Sequence, residues 1–134
     1  MIFVNKKEDA IKLQDKLNKK GIKAEKLIGG IDQKQRDKII DDFRKTITTS
    51  LICTNVLARG IDVPEVDLVI NYDVPYISQY GFKNPDYANY LHRVGRTGRF
   101  GTDGVAVTLV SEDEVYDDLV DWIQSYYKID IGLL

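Results

Sequence analysis

Residues 92–99 read His-Arg-Val-Gly-Arg-Thr-Gly-Arg, placing His92, Arg93, Arg96 and Arg99 together with no acidic side chain among them. Such a cluster needs an anion. Arginines three apart project from one side of a helix and its first following turn, Gly95 and Gly98 let backbone approach a ligand, and guanidinium forks match phosphate oxygens. The functional reading is a phosphate site; the plain alternative is a solvated basic helix end. A second segment, Thr54 to Asp62 (TNVLARGID), follows a β-branched run, and open α/β sheets bind their ligands at strand ends. Thr54 offers a hydroxyl and an amide to a phosphate, Gly60 permits close approach, and Asp62 can accept from a sugar hydroxyl. Without a ligand, Thr54 is an ordinary strand end and Asp62 a turn carboxylate.

Short β-rich runs alternate with amphipathic stretches, the pattern of βαβ units around a mostly parallel sheet. Ile2 to Val4 predicts a strand. Asn5 with Glu8 predicts a capping box for a helix that runs to about Lys20, aligns Ala10, Leu13 and Leu17, and stops at Gly21. A strand over Ala24 to Ile28, a Gly29-Gly30 turn and a helix capped by Asp32 with Gln35 follow, the helix burying Ile39, Ile40 and Phe43. Strands are expected at 49–54 and 68–72, with a turn at Ala58 to Gly60 between them. The segment YISQYGFKN between Pro75 and Pro85 reads as an irregular loop. A helix is expected from Asp86, a glycine-punctuated turn at Gly98, Gly101 and Gly104, and a strand over 105–110. Ser111 with Glu114 then caps a last helix that aligns Val115, Leu119, Trp122, Ile123 and Tyr126. Core packing is the expectation for Trp122, Tyr126 and Cys53.

The 134 residues suit one domain, and 43% hydrophobic content suffices for one core. Lys+Arg 19 against Asp+Glu 21 gives a formal charge of −2, so any nucleic-acid contact has to come from a local patch. One cysteine forms no internal disulfide, which fits a reducing compartment. No apolar run approaches the roughly 18 residues that span a bilayer, and no signal peptide is evident; the reading is a soluble intracellular fragment cut at a linker.

The order of these segments resembles the second RecA-like domain of the DEAD-box RNA helicases. MIFVN is similar to motif IV, QKQR (Gln33 to Arg36) to motif IVa, TNVLARGID to motif V, NYDVP to motif Va and HRVGRTGRFG to motif VI. The resemblance runs from Met1 to about Val110. It implies an α/β fold, a RecA-like three-layer αβα sandwich, with residues 1–134 forming the helicase C-terminal domain and the ATP-binding N-terminal domain absent from this chain. It implies that Arg96 and Arg99 are arginine fingers reaching the γ-phosphate of ATP, with His92 coupling the domains. Gly60 and Asp62 would touch the ribose side of the nucleotide. Asn5, Lys6, Lys7, Gly29, Gln33, Arg36 and Thr54 would hold or support consecutive RNA phosphates.

The chain lacks the G-x-x-x-x-G-K-[ST] loop and the Asp-Glu-Ala-Asp sequence, so ATP and its Mg²⁺ would be gripped by the missing domain and this chain alone would not turn ATP over. Asn55 stands where most members have Asp, and Ile28 where they have His. The long connection from Tyr76 to Tyr90 is similar to the subgroup that remodels messenger RNA–protein particles at the nuclear pore. That likeness implies a monomer, cytoplasmic, nuclear or at the pore, with sequence-independent RNA and an export activator as partners. The competing reading is a non-catalytic RecA-like scaffold binding protein or RNA; retention of Arg96 and Arg99 argues against it.

Overall fold

The computed structural model describes residues 1–55, 66–98, 103–112 and 114–134. Its centre is the chain's first strand. β1 (Ile2–Val4) lies between β3 (Ser50–Thr54) and β4 (Leu68–Asn71), flanked outward by β2 (Ala24–Leu27) and β7 (Val105–Thr108), in the order β2-β3-β1-β4-β7. All four pairings are parallel, with Phe3 opposite Cys53 and Val4 opposite Thr54. Side chains alternate across a strand, so adjacent β1 residues enter different cores. Phe3 joins Leu27, Leu51, Cys53 and Val69 under helix α2 (Gln33–Arg44). Val4 joins Ala24, Ile28 and Ile52 under helix α1 (Lys7–Lys19). These two apolar layers make the predicted three-layer sandwich, and β1, buried on both faces, accordingly reads as unbroken apolar sequence.

Ala10, Leu13 and Leu17 face the sheet as expected, and Gly21 ends the turn at φ 81°. The N-terminus of α1 differs from expectation. Lys6 is the N-cap residue and no side chain caps it; the Asn5 side chain is drawn inward to Val74 O and Arg93 instead. Asp32 caps α2 through Gln35 N–H at 2.8 Å, as predicted. Ile40 is buried there, while Ile39 and Phe43 are partly so.

The expected irregular loop is a two-stranded antiparallel hairpin, β5 (Tyr76–Gln79) and β6 (Phe82–Pro85). Tyr80 and Gly81 form its turn at φ 51° and 79°, the sign pattern of a type I′ connection that matches strand twist. Gly and Asn mark turns in general, and the composition of this segment concealed two short strands.

Helix α3 (Tyr87–Val94) starts at the Asp86 cap, as read from sequence. Helix α4 (Glu114–Tyr127) packs Leu119 and Ile123 against Val74 and Tyr90. Its buried stripe is narrower than expected: Trp122 is 47% and Tyr126 62% exposed, although Tyr126 stacks on Tyr87 at 4.1 Å. The Tyr127 hydroxyl donates to Tyr87 O at 2.7 Å, joining the two helices. The turn at 58–60, Gly101 and the side chain of Val115 lie outside the described residues, as does the proposed Ser111–Glu114 capping geometry.

Candidate nucleic-acid and nucleotide interface

Parallel strands bring their carboxyl ends to one edge. β1 ends at Asn5, β3 at Thr54-Asn55 and β4 at Asn71 to Asp73, and one side chain from α3 ties these ends together. Arg93 is fully buried. Its Nε and Nη2 donate to Asn55 Oδ1 at 2.9 and 2.6 Å, its Nη2 to Asn5 Oδ1 at 2.8 Å, and its Nη1 to Asp73 O at 2.9 Å. Asn71 Oδ1 stands at 3.4 Å and the Asp73 carboxylate at 3.7 Å. The guanidinium also lies over the Phe3 ring, 5.6 Å from its centroid. Asn71 passes the network outward by donating to Thr108 Oγ1 on β7.

A buried cation is expensive unless its donors are filled and a counter-charge is near. Burial pushes the Arg93 guanidinium down to about 10, opposed by the charge of Asp73, so it remains a cation at neutral pH. Burial raises the Asp73 carboxyl, against the Asn5 N–H and Arg93, which favour its charged form. Asp73 Oδ2 accepts from Asn5 N–H at 2.9 Å, while Oδ1 is buried without a hydrogen bond.

Arg93 therefore departs from the expectation that the arginines of 92–99 project from one side. It points into the protein, whereas His92 is exposed and Arg96 half-buried. The helix explains this: α3 ends at Val94, so Arg96 is no longer held above Arg93. Sequence reading missed the ring of amides around Arg93. Its signal was there, in three Asn residues sitting at or just past the ends of apolar strands.

The other predicted residues fall as follows. Thr54 is buried at the end of β3, paired with Val4. Lys7 reaches the glycine turn, its Nζ donating to Gly29 O at 3.4 Å. Lys6 and Gly29 are exposed, Gln33 Nε2 donates to Asp37 Oδ1 at 2.8 Å, and Arg36 is half-buried with its Nε atom buried and unpaired. The structure thus joins Asn5, Thr54 and the Lys7–Gly29 pair along one edge, with Gln33 and Arg36 in the first turn of α2. Gly60, Asp62 and Arg99 lie outside the described residues. Among the described residues, no group of three or more His, Cys, Asp or Glu is placed to hold a metal ion, and no helix is long and apolar enough to cross a membrane.

A parallel sheet layered by helices, with basic and amide groups gathered at its carboxyl edge, is the architecture of a RecA-like domain. Residues 1–101 match the family described as the helicase conserved C-terminal domain, and the chain belongs to that family. It is similar to the ATP-dependent RNA helicase DBP5 of Candida albicans, 48% identical over 95% of this chain and 23% of that protein. The solved C-terminal domain of the DEAD-box protein Dbp5 superposes with a TM-score of 0.88, at 44% identity over 96% of this chain and 70% of that one. S. cerevisiae Dbp5 L327V bound to RNA and ADP BeF3 gives a TM-score of 0.83 at 44% identity, over 94% of this chain and 31% of that one. The chain spans about a quarter of the length of the curated relatives it matches.

Proposed function

We propose that this chain is the second motor domain of an ATP-dependent RNA helicase. The observation that carries the reading is the gathering of Asn5, Thr54 and the Lys7–Gly29 pair on one sheet edge. Amides and a few cations at strand ends suit consecutive phosphates of a single strand, so binding is independent of sequence and weakens with salt. Asn5, Lys6, Lys7, Gly29, Gln33, Arg36 and Thr54 are assigned to that contact.

Arg96 and Arg99, with His92, are assigned to the nucleotide side, Gly60 and Asp62 to the ribose. Cations delivered across a domain cleft stabilise charge on a transferring phosphoryl group, an effect of roughly 10³ to 10⁵ in rate in comparable enzymes. ATP with Mg²⁺ is held mainly by the partner RecA-like domain. Closure of the two domains would bend the RNA and open a short duplex; product release would reopen the cleft. The same reading makes the protein a monomer that works on messenger RNA–protein particles at the nuclear pore, with an activator protein.

Steady-state ATP turnover tests it, measured with and without single-stranded RNA on the full-length protein, its Arg99→Ala variant and this chain. RNA-stimulated turnover is expected in the full-length wild type alone. An inert full-length protein, or an indifferent Arg99→Ala, refutes the assignment in favour of a binding module.

A further inference from the structure

The hairpin β5–β6 has no part in the assignments above. Its base is fixed: Asp86 N–H donates to Pro75 O at 2.9 Å, Lys83 Nζ sits 4.8 Å from the Tyr76 ring centroid, and Tyr76 packs against the Val74–Tyr90–Leu119 cluster. Its tip is not: Tyr80 is 90% and Phe82 73% exposed. Tyr80 also occupies the first positive-φ position of the turn, where Asn, Asp or Gly is the ordinary choice and a bulky side chain is strained. Two aromatic rings are held in water there, one of them at a backbone cost.

The position of the hairpin indicates what would cover them. Tyr76, at its base, lines a cleft of about 220 Å³ together with Asn5, Lys6, Tyr72 and Asp73. Asn5 and Lys6 are residues assigned above to RNA phosphates. Four residues of strand separate Tyr80 from Tyr76 by roughly 13 Å, so the tip rings and the cleft-lining Tyr76 belong to one continuous element. Single-stranded nucleic acid is bound by backbone cations combined with aromatic rings on which bases stack, without regard to sequence because every base has a π-face.

We propose that Tyr80 and Phe82 form a base-stacking platform for single-stranded RNA, adding base contacts to an edge that otherwise grips backbone. The proposal rests on the RNA reading above. Anisotropy titrations of the full-length protein at low salt, using fluorescein-labelled oligouridylate and an abasic oligomer of equal length and charge, separate the two. Tyr80→Ala and Phe82→Ala are each expected to weaken oligouridylate binding roughly 5- to 150-fold and to leave the abasic oligomer unaffected. Phe82→Tyr should restore binding and Phe82→Leu should not, whereas Arg36→Ala should weaken both ligands. If the alanine variants bind oligouridylate like wild type while Arg36→Ala weakens both, the platform is refuted and the tip is left to a protein partner. If wild type binds neither ligand, the RNA reading fails and the platform with it.

Discussion

Replacing Arg93 by Met keeps much of the volume and removes the cation. Four hydrogen bonds of 2.6 to 2.9 Å, to Asn5, Asn55 and Asp73, lose their donor inside the protein. The Asp73 carboxylate, with Oδ1 already unsatisfied, loses the counter-charge that stands 3.7 Å away. Summing the bonds at full strength would overcount, since they act as one unit; removal of one partner from a buried pair, at about 3–5 kcal/mol, is the better measure. At about 2.1 cal/mol/K per residue of unfolding entropy, a chain of 134 residues loses roughly 10–20 °C in Tm. Urea denaturation followed by circular dichroism reads the loss as a lower midpoint at unchanged slope. Arg93→Lys keeps the charge but not the fork, and should recover part of it. A loss below about 1 kcal/mol in Arg93→Met would refute the idea that this side chain joins the strand ends.

Asn55→Asp should raise stability by roughly 1 kcal/mol, because Oδ1 already takes two Arg93 donors and a charged acceptor strengthens both; a lower urea midpoint would count against it. Since burial raises Asp73, the folded state binds its proton more tightly than the unfolded chain. That contribution is full below the ordinary carboxylate pKa and is lost as pH rises through the raised value; Asp73→Asn should flatten this part of the stability–pH curve. Gly104→Ala would put Cβ 2.5 Å from Gly98 N and Thr97 Cβ, an overpacking of about 1–3 kcal/mol visible as a lower Tm. The Cys53 thiol, buried and pushed up to about 12, should resist iodoacetamide in the native state and react on denaturation.

The three layers were legible because apolar periodicity is a local signal. Ala10, Leu13 and Leu17 announce a helix face without reference to any other segment, and Gly21 its end. The hairpin was hidden because its stability lies in cross-strand pairing of Tyr76 with Pro85 and of Ser78 with Lys83, which spacing along one strand does not reveal. At the site, the order of motifs singled out residues, Asn5, Thr54 and Lys7 among them, that the fold brings to one edge of the sheet. It could not say that Arg93 turns inward while its neighbour His92 faces solvent, because that depends on where α3 stops and on amides up to 88 residues away. Asn5 was misread as a helix cap for the same reason: a distant cation and the Val74 carbonyl outcompeted the local N–H groups.

Placing the first strand at the middle of the sheet has a kinetic consequence. β1 is three residues long and finds its partners only around residues 52 and 70, so closing the sheet requires large loops to form before contacts reward them, which slows folding. Arg93 lies 88 residues after Asn5, and at ~5–20 residues per second of synthesis it follows roughly 4 to 18 s later. During that interval the Asn5 amide that will receive it is open to water and to other chains. Chain elongation thereby sets the earliest moment at which the strand ends can lock.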